Sequence, residues 1–301
     1  MSGQLRAGVV GAGVFGGYHA AKYAALDGVA FTGVYDPHPD RARALAGRHG
    51  AAPFDSLETL LAEVDVVSIA SPASAHARAT LAALKAGAHV YVEKPVATDL
   101  ADVDAILGEA SRRGRIVACG FLERATFRGM GLFSISERPL RLEATRLGPP
   151  SPRNLDVSVV IDLMIHDLDL ALALTDAEAL AVEAEGAAIA NALLDEADAE
   201  VTFDDGFTAI FRASRIAQGR ERTMRLVYPS GEIRVDFLAK TFANSTGHAL
   251  SPAFDDADPL GVSLDAFIAA VRGEGPAPLA NALDGAKALD LALAVEQAVG
   301  R

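Results

Sequence analysis

Gly11-Ala12-Gly13-Val14-Phe15-Gly16 follows an apolar run, Arg6 to Val10, and opens an Ala-rich segment from Gly17 to Leu26. Glycines at this spacing have mechanical consequences. Gly11 permits a tight turn out of a strand, Gly13 lets another group approach the backbone, and Gly16 lets a helix lie close on a sheet. A strand turning at once into a helix begins a βαβ unit, and the next hundred residues continue in kind. Short apolar runs at Ala30–Tyr35, Val64–Ala70, His89–Val92 and Ile116–Gly120 alternate with helical patterns at Pro39–His49, Ser74–Ala86 and Leu100–Arg113. Such alternation predicts a doubly wound parallel sheet over residues 1–120, with strands covered on both faces.

The pattern then changes. Arg138–Leu147 reads as a long strand and Asp156–Leu174 as an apolar helix. Ala179–Ala190, Asp198–Phe203, Phe207–Ala213, Arg220–Tyr228 and Glu232–Phe237 read as strands. Asp204-Asp205-Gly206 and Pro229-Ser230-Gly231 are the turns between them. Residues 239–259 carry no clear period, and helices at Val262–Arg272 and Asn281–Val299 close the chain. A second domain is therefore expected over 121–301: a large open, mostly antiparallel sheet with a helix on one face. A chain of 301 residues suits two domains.

The net charge of −13 argues against a nucleic-acid partner, which needs clustered Lys and Arg, and means that any phosphate site must be built locally. Cys119 is the single cysteine, so no internal disulfide can form. With no secretory signal and no apolar run near the ~20 residues of a membrane span, a soluble cytoplasmic protein is expected, without a membrane partner or a metal site.

The glycine loop lies where a helix N-terminus can meet a pyrophosphate with unpaired N–H groups, and Val14 and Phe15 belong to that first turn. Asp36 ends the second strand, 20 positions past Gly16, where a carboxylate can accept from both ribose hydroxyls. The competing role for Asp36 is a cap or turn residue before Pro37. Asp36 would repel a 2′-phosphate, so NAD is expected over NADP, although Arg41 and Arg43 keep NADP open.

Asp162 and His166 stand four apart in an apolar helix and share a face. Unpartnered they would be costly to bury, so they either satisfy each other or the backbone, or carry chemistry. Asp167 and Asp169 are expected to face solvent or to cap a loop. Glu93-Lys94-Pro95 ends the strand at His89–Val92, at the C-terminal end of a parallel strand, where open α/β folds place ligands. Lys94 is either a surface lysine or a group facing substrate. Glu93 would pair with it or help hold the nicotinamide end.

These stretches, in this order, resemble the glucose–fructose oxidoreductase/inositol dehydrogenase (Gfo/Idh/MocA) family over nearly the whole chain. Ser71-Pro72-Ala73-Ser74-Ala75-His76 and the tail helix from Gly285 add to the likeness. The resemblance implies a Rossmann domain followed by a domain with a large open sheet, pairing into homodimers or homotetramers. It implies that Ser71, Pro72, His76 and Glu93 join the cofactor site. It also implies that Lys94, Asp162 and His166 line the substrate cleft as catalytic groups. Asp-Leu-Met-Ile-His-Asp at 162–167 resembles the branch that oxidises nucleotide-linked amino sugars, such as UDP-N-acetylglucosamine at the 3-hydroxyl. Two departures stand out. Asp156-Val157-Ser158-Val159-Val160-Ile161 replaces a run of glycines, and Ala125-Thr126-Phe127 follows Glu123-Arg124 where that branch tends to carry Arg-Phe-Asn. A nucleotide sugar needs a phosphate grip, for which Arg124, Arg128, Arg146 and above all Arg153 are candidates. A free polyol or simple sugar would need none. A non-catalytic NAD-binding regulator is a third possibility, but such a protein would be expected to lose its proton-transfer groups, and all three are present.

Overall fold

The strands of the first half are short and apolar because helices cover both their faces. In the computed structural model, which describes residues 4–151, 155–190, 192–250 and 258–300, six strands form one sheet. They are β1 (Leu5–Val10), β2 (Val29–Tyr35), β3 (Ala52–Phe54), β4 (Val66–Ile69), β5 (His89–Val92) and β6 (Val117–Cys119), in the order β3-β2-β1-β4-β5-β6. Every pairing is parallel. The chain connecting them contains α1 (Val14–Ala25), α2 (Pro39–Arg48), α3 (Leu57–Leu61), α4 (His76–Ala86) and α5 (Leu100–Arg113). Strand order reverses between β1 and β4, the switch point at which such sheets bind ligands beyond their carboxyl ends, and the glycine loop leaves β1 there.

β3 and α3 escaped the periodicity argument. β3 is a three-residue edge strand with Pro53 at its centre, a place where proline is tolerated because one side of the strand is unpaired. α3 is five residues long, but Ser56 and Thr59 form a reciprocal capping box that the sequence does contain.

The chain divides into two compact units, Met1–Leu122 with Asp258–Ala286 and Glu123–Ala257 with Lys287–Arg301. Chain order suggested that everything after residue 120 belongs to the second domain; the structure returns 258–286 to the first. The cause is the apolar stripe of α8 (Pro259–Arg272). Leu260, Leu264, Phe267 and Ile268 are buried in the same core as Val9, Tyr23 and Tyr91. Phe267 meets Tyr91 edge-on at 5.8 Å, and the Tyr91 hydroxyl lies 2.9 Å from Ser263 Oγ. Asp258 caps the helix and pairs with Lys22.

The second unit opens with α6 (Glu123–Gly129) and contains α7 (Ile165–Leu174). Its sheet has the order β13-β12-β11-β7-β10-β9-β8. The strands are β7 (Arg141–Leu147), β8 (Ala179–Ala187), β9 (Glu196–Phe203), β10 (Thr208–Ser214), β11 (Glu221–Tyr228), β12 (Gly231–Asp236) and β13 (Thr241–Asn244). All pairings are antiparallel except β7 with β10. Burial alternates along β9, β10 and β11, the period-2 mark of a sheet with one covered face. β13 falls in the stretch without period because only Phe242 of its four residues is partly covered. Among the described residues no helix is long and apolar enough to cross a membrane.

Candidate functional site

The two units carry separate groups of candidate residues. In the first, the glycine loop behaves as its spacing demands. Gly11 has φ +97°, and a Cβ there would sit 2.7 Å from the Ala70 carbonyl oxygen and 2.8 Å from Ser71 N. A Cβ on Gly16 would fall 1.8 Å from the Gly11 carbonyl oxygen. Around Gly13 a Cβ would meet nothing within 4 Å, so its open side is available to a ligand. Gly13 is the N-cap of α1, and no side chain caps the first-turn amides. Val14 and Phe15, in that turn, are exposed.

Asp36 is buried at the end of β2. Its Oδ2 accepts from Ala12 N at 2.8 Å and its Oδ1 from His38 N at 2.8 Å. The carboxylate thus braces the glycine loop and forms the turn before α2; the N-cap itself is His38, with no side-chain cap bond. Oδ1 also lies 3.2 Å from His38 Nδ1, so Oδ2 is the oxygen with a further lone pair for a ribose hydroxyl.

Beyond β4, Ser71 and Pro72 lead to His76, whose ring is buried between two carbonyls. Nδ1 lies 2.7 Å from Pro95 O and Nε2 lies 2.8 Å from Ser71 O. Burial pushes the imidazole pKa down, against both carbonyl contacts, which raise it. His76 thus packs between the Ser71-Pro72 loop and the loop holding Lys94, its neutral ring donating to one of the two carbonyls. Lys94 itself is half-buried past the end of β5. Glu93 pairs with the fully buried His19, Oε1 to Nε2 at 2.8 Å, a partner on α1 that no local pattern announces. Gly120 lies so close that a Cβ would be 2.9 Å from Glu93 Oε2.

In the second unit a π-helical turn, Val160–Met164, precedes α7. Ile165 N donates to Val160 O, the five-residue spacing of a π turn. The expected helix from Asp156 to Leu174 thus begins later and irregularly, with Asp162 buried on its wide turn and His166 just past it. His166 Nδ1 lies 2.7 Å from Glu123 Oε2. The other oxygen, Oε1, accepts from Arg222 Nη2 at 2.8 Å and Arg146 Nη1 at 3.2 Å. Burial pushes the Glu123 carboxyl up, but His166, Arg146 and Arg222 outweigh it and hold it well below the usual carboxylate range.

Asp167 and Asp169 do not face solvent: both are buried. Arg146 grips Asp167 through Nε and Nη2 at 2.9 and 2.8 Å, and Arg124 grips Asp169 at 2.9 and 2.7 Å. An apolar helix can carry these carboxylates only because each receives a bidentate guanidinium. Two of the four arginines proposed for a phosphate are therefore engaged in ion pairs. Arg128 is exposed on α6, and Arg153 lies outside the described residues. A cavity of about 480 Å³ on the open sheet face, lined by Glu185, Asp198 and Arg212 among others, holds none of the candidate residues. Among the described residues no group of three His, Cys, Asp or Glu is placed to hold a metal ion.

Residues 5–121 match the family "Oxidoreductase family, NAD-binding Rossmann fold", and residues 143–234 match "GFO/IDH/MocA C-terminal domain". The chain is 36% identical to UDP-N-acetylglucosamine 3-dehydrogenase from Acidithiobacillus ferrooxidans, across 98% of this chain and 97% of that protein. A solved structure of that enzyme superposes with a TM-score of 0.92 over 98% of each chain. Myo-inositol 2-dehydrogenase from Thermotoga maritima is 27% identical over 79% of this chain and 77% of its own length. The WlbA dehydrogenase of Bordetella pertussis, solved with NADH and UDP-GlcNAcA, is 20% identical over 99% of this chain and 97% of that one. With a TM-score of 0.83, it shares the fold. Glycine cradle, anchored Asp36 and full-length similarity agree: the chain belongs to the Gfo/Idh/MocA oxidoreductases and carries their NAD-binding Rossmann domain.

Proposed function

We propose that this protein oxidises the 3-hydroxyl of a nucleotide-linked amino sugar, of the UDP-N-acetylglucosamine kind, to a ketone. The observation that carries the substrate is the full-length likeness to the Acidithiobacillus enzyme, which spans both units. Bound NAD supplies the two-electron acceptor.

The chain's own residues do the rest. Gly11, Gly13 and Gly16 bring the first-turn amides of Val14 and Phe15 to the pyrophosphate, and Asp36 accepts from the ribose and disfavours a 2′-phosphate. Ser71, Pro72, His76 and Glu93 shape the nicotinamide end. His166 takes the hydroxyl proton on Nε2, because a carboxylate on Nδ1 selects the tautomer with Nδ1–H. Lys94 donates a hydrogen bond to the reacting oxygen and favours its developing negative charge. Asp162 supplies a carboxylate for the substrate hydroxyls and the imidazolium, and Arg153 is the remaining phosphate candidate of the original four apart from Arg128.

A free polyol is the second reading. The engagement of Arg124 and Arg146 with Asp169 and Asp167 favours it, since these guanidiniums already hold carboxylates. Reduced nicotinamide absorbance decides between them. Turnover with UDP-N-acetylglucosamine and none with myo-inositol or glucose supports the amino-sugar reading; the reverse pattern refutes it. His166→Ala should cut turnover by about 10²-fold, and near-normal turnover would remove His166 from the chemistry.

A cytoplasmic setting accords with the single, buried Cys119, and fractionation of the producing cell tests it. A homodimer or homotetramer accords with the wide outer sheet face, where Ile210, Val227 and Thr223 stand only half-covered. Light scattering at micromolar concentration reads the mass directly.

A further inference from the structure

β7 and β11 run antiparallel with Arg146 directly opposite Arg222, and both lie on the sheet's covered face with Ala144 and Met224. Like charges directly opposite destabilise a sheet, so something must compensate for them. Asp167 compensates Arg146 through its bidentate pair, and Glu123 spans both arginines: its Oε1 takes a hydrogen bond from each guanidinium while Oε2 meets His166 Nδ1. Arg222 is fixed further by lying over the Phe237 ring, 4.7 Å from its centroid.

We propose that Glu123 is the positioning residue of His166, setting which ring nitrogen is the base, with Arg146 and Arg222 setting which Glu123 oxygen the imidazole meets. The inference rests on His166 acting as the base.

The chemistry follows from the inventory of donors. A guanidinium only donates: Oε1 accepts from Arg222 Nη2 and from the Nη1 that Arg146 does not give to Asp167. Oε2 is then turned to the ring and must accept, so the imidazole carries its proton on Nδ1 and presents Nε2 as the basic nitrogen. Glu123 stabilises the imidazolium; the two arginines oppose it. The other charged groups on the same helical segment are Asp162 on the π turn and Asp167 and Asp169 on α7. Asp167 and Asp169 are each gripped by an arginine, Arg146 and Arg124 respectively. β10, which also packs on this helix, presents Ala209, Phe211 and Ala213 to the covered face and no charge.

Glu123→Gln gives a directional test. The amide has one acceptor, which the arginines claim, so its NH₂ faces Nδ1 and forces the proton onto Nε2. Turnover of UDP-N-acetylglucosamine with NAD should fall by about 10²-fold, the usual worth of a general base. In protein with ¹⁵N-labelled histidine, with His166→Gln for assignment, two-bond correlations should show His166 protonated on Nδ1 in the wild type and on Nε2 in Glu123→Gln. The ring should also titrate about one pH unit lower in that variant, and higher in Arg222→Gln, because the two substitutions remove charges of opposite sign. A packing role alone would not move the titration in opposite directions.

An unchanged tautomer and titration in Glu123→Gln would overturn the proposal. If that variant does not fold, Arg222→Gln decides: an upward displacement supports the proposal and an unmoved titration refutes it. Because the NMR readout needs no turnover, an active His166→Ala protein would defeat the catalytic reading while the tautomer still reports whether Glu123 holds the ring.

Discussion

Gly13 and Gly16 are three residues apart in one loop, and the structure predicts that adding a methyl to each has opposite consequences. At Gly13 the backbone has φ −79° and ψ −164°, which alanine adopts without strain, and a Cβ would meet nothing within 4 Å. Gly13→Ala should therefore leave unfolding within about 1 kcal/mol of wild type, the scale of an N-cap change. The methyl instead occupies space on the ligand side of the loop. Holding the pyrophosphate off one amide forfeits a charge-assisted hydrogen bond, about 1.5–3 kcal/mol, or about ten- to a hundredfold in NAD affinity. Gly16→Ala differs, since its Cβ would lie 1.8 Å from the Gly11 carbonyl oxygen. The backbone must shift, at the about 1–3 kcal/mol or more of an overpacked core. Calorimetric titration with NAD and thermal unfolding, with and without it, separate the two. At a concentration 100 times the wild-type Kd, NAD stabilises the wild type by about 2.7 kcal/mol. A variant binding 30-fold more weakly would gain only about 0.9 kcal/mol at that concentration. Wild-type affinity in Gly13→Ala would refute the cradle; a loss of stability in Gly13→Ala as large as that in Gly16→Ala would make Gly13 a packing residue instead.

Three further outcomes follow from burial and charge. Phe267→Ala should destabilise the protein by about 3–5 kcal/mol, since α8 completes the core around Tyr91; a loss under 1 kcal/mol in denaturant unfolding would mean that α8 is peripheral to the first unit. Asp195→Ala should cost about 3–5 kcal/mol, because it leaves the buried Arg215 without the carboxylate that accepts from its Nε at 2.9 Å. Burial raises the Asp195 pKa, but the amides of Ala190 and Ile189 and the Arg215 guanidinium outweigh it and hold the group down at about 2. Its contribution is thus fully present above the ordinary aspartate value near 3.9 and fades as pH falls from there toward 2. Stability of Asp195→Asn measured from pH 6 to pH 3 should accordingly lose less on acidification than wild type, and parallel curves would contradict the assignment.

Local conformation explains what the chain discloses in one dimension. The glycine loop, the acidic end of β2 and the Glu93-Lys94-Pro95 stretch are legible because each depends on neighbours within a turn or a strand. The change from wholly apolar to alternating strands likewise reports how many faces a sheet covers. The partnerships across the fold are not legible. Glu123 meets His166 across 43 residues, and Arg146 faces Arg222 only through the β7–β11 register. The burial of Asp167 and Asp169 also depends on guanidiniums delivered from β7 and α6. α8 returns to the first unit because its apolar stripe fits the Rossmann core, a matter of surface complementarity that order along the chain does not encode. Periodicity determined which side chains could be buried or brought to a ligand; packing and register decided which charges meet, because a buried charge takes its partner from whatever element the fold lays beside it.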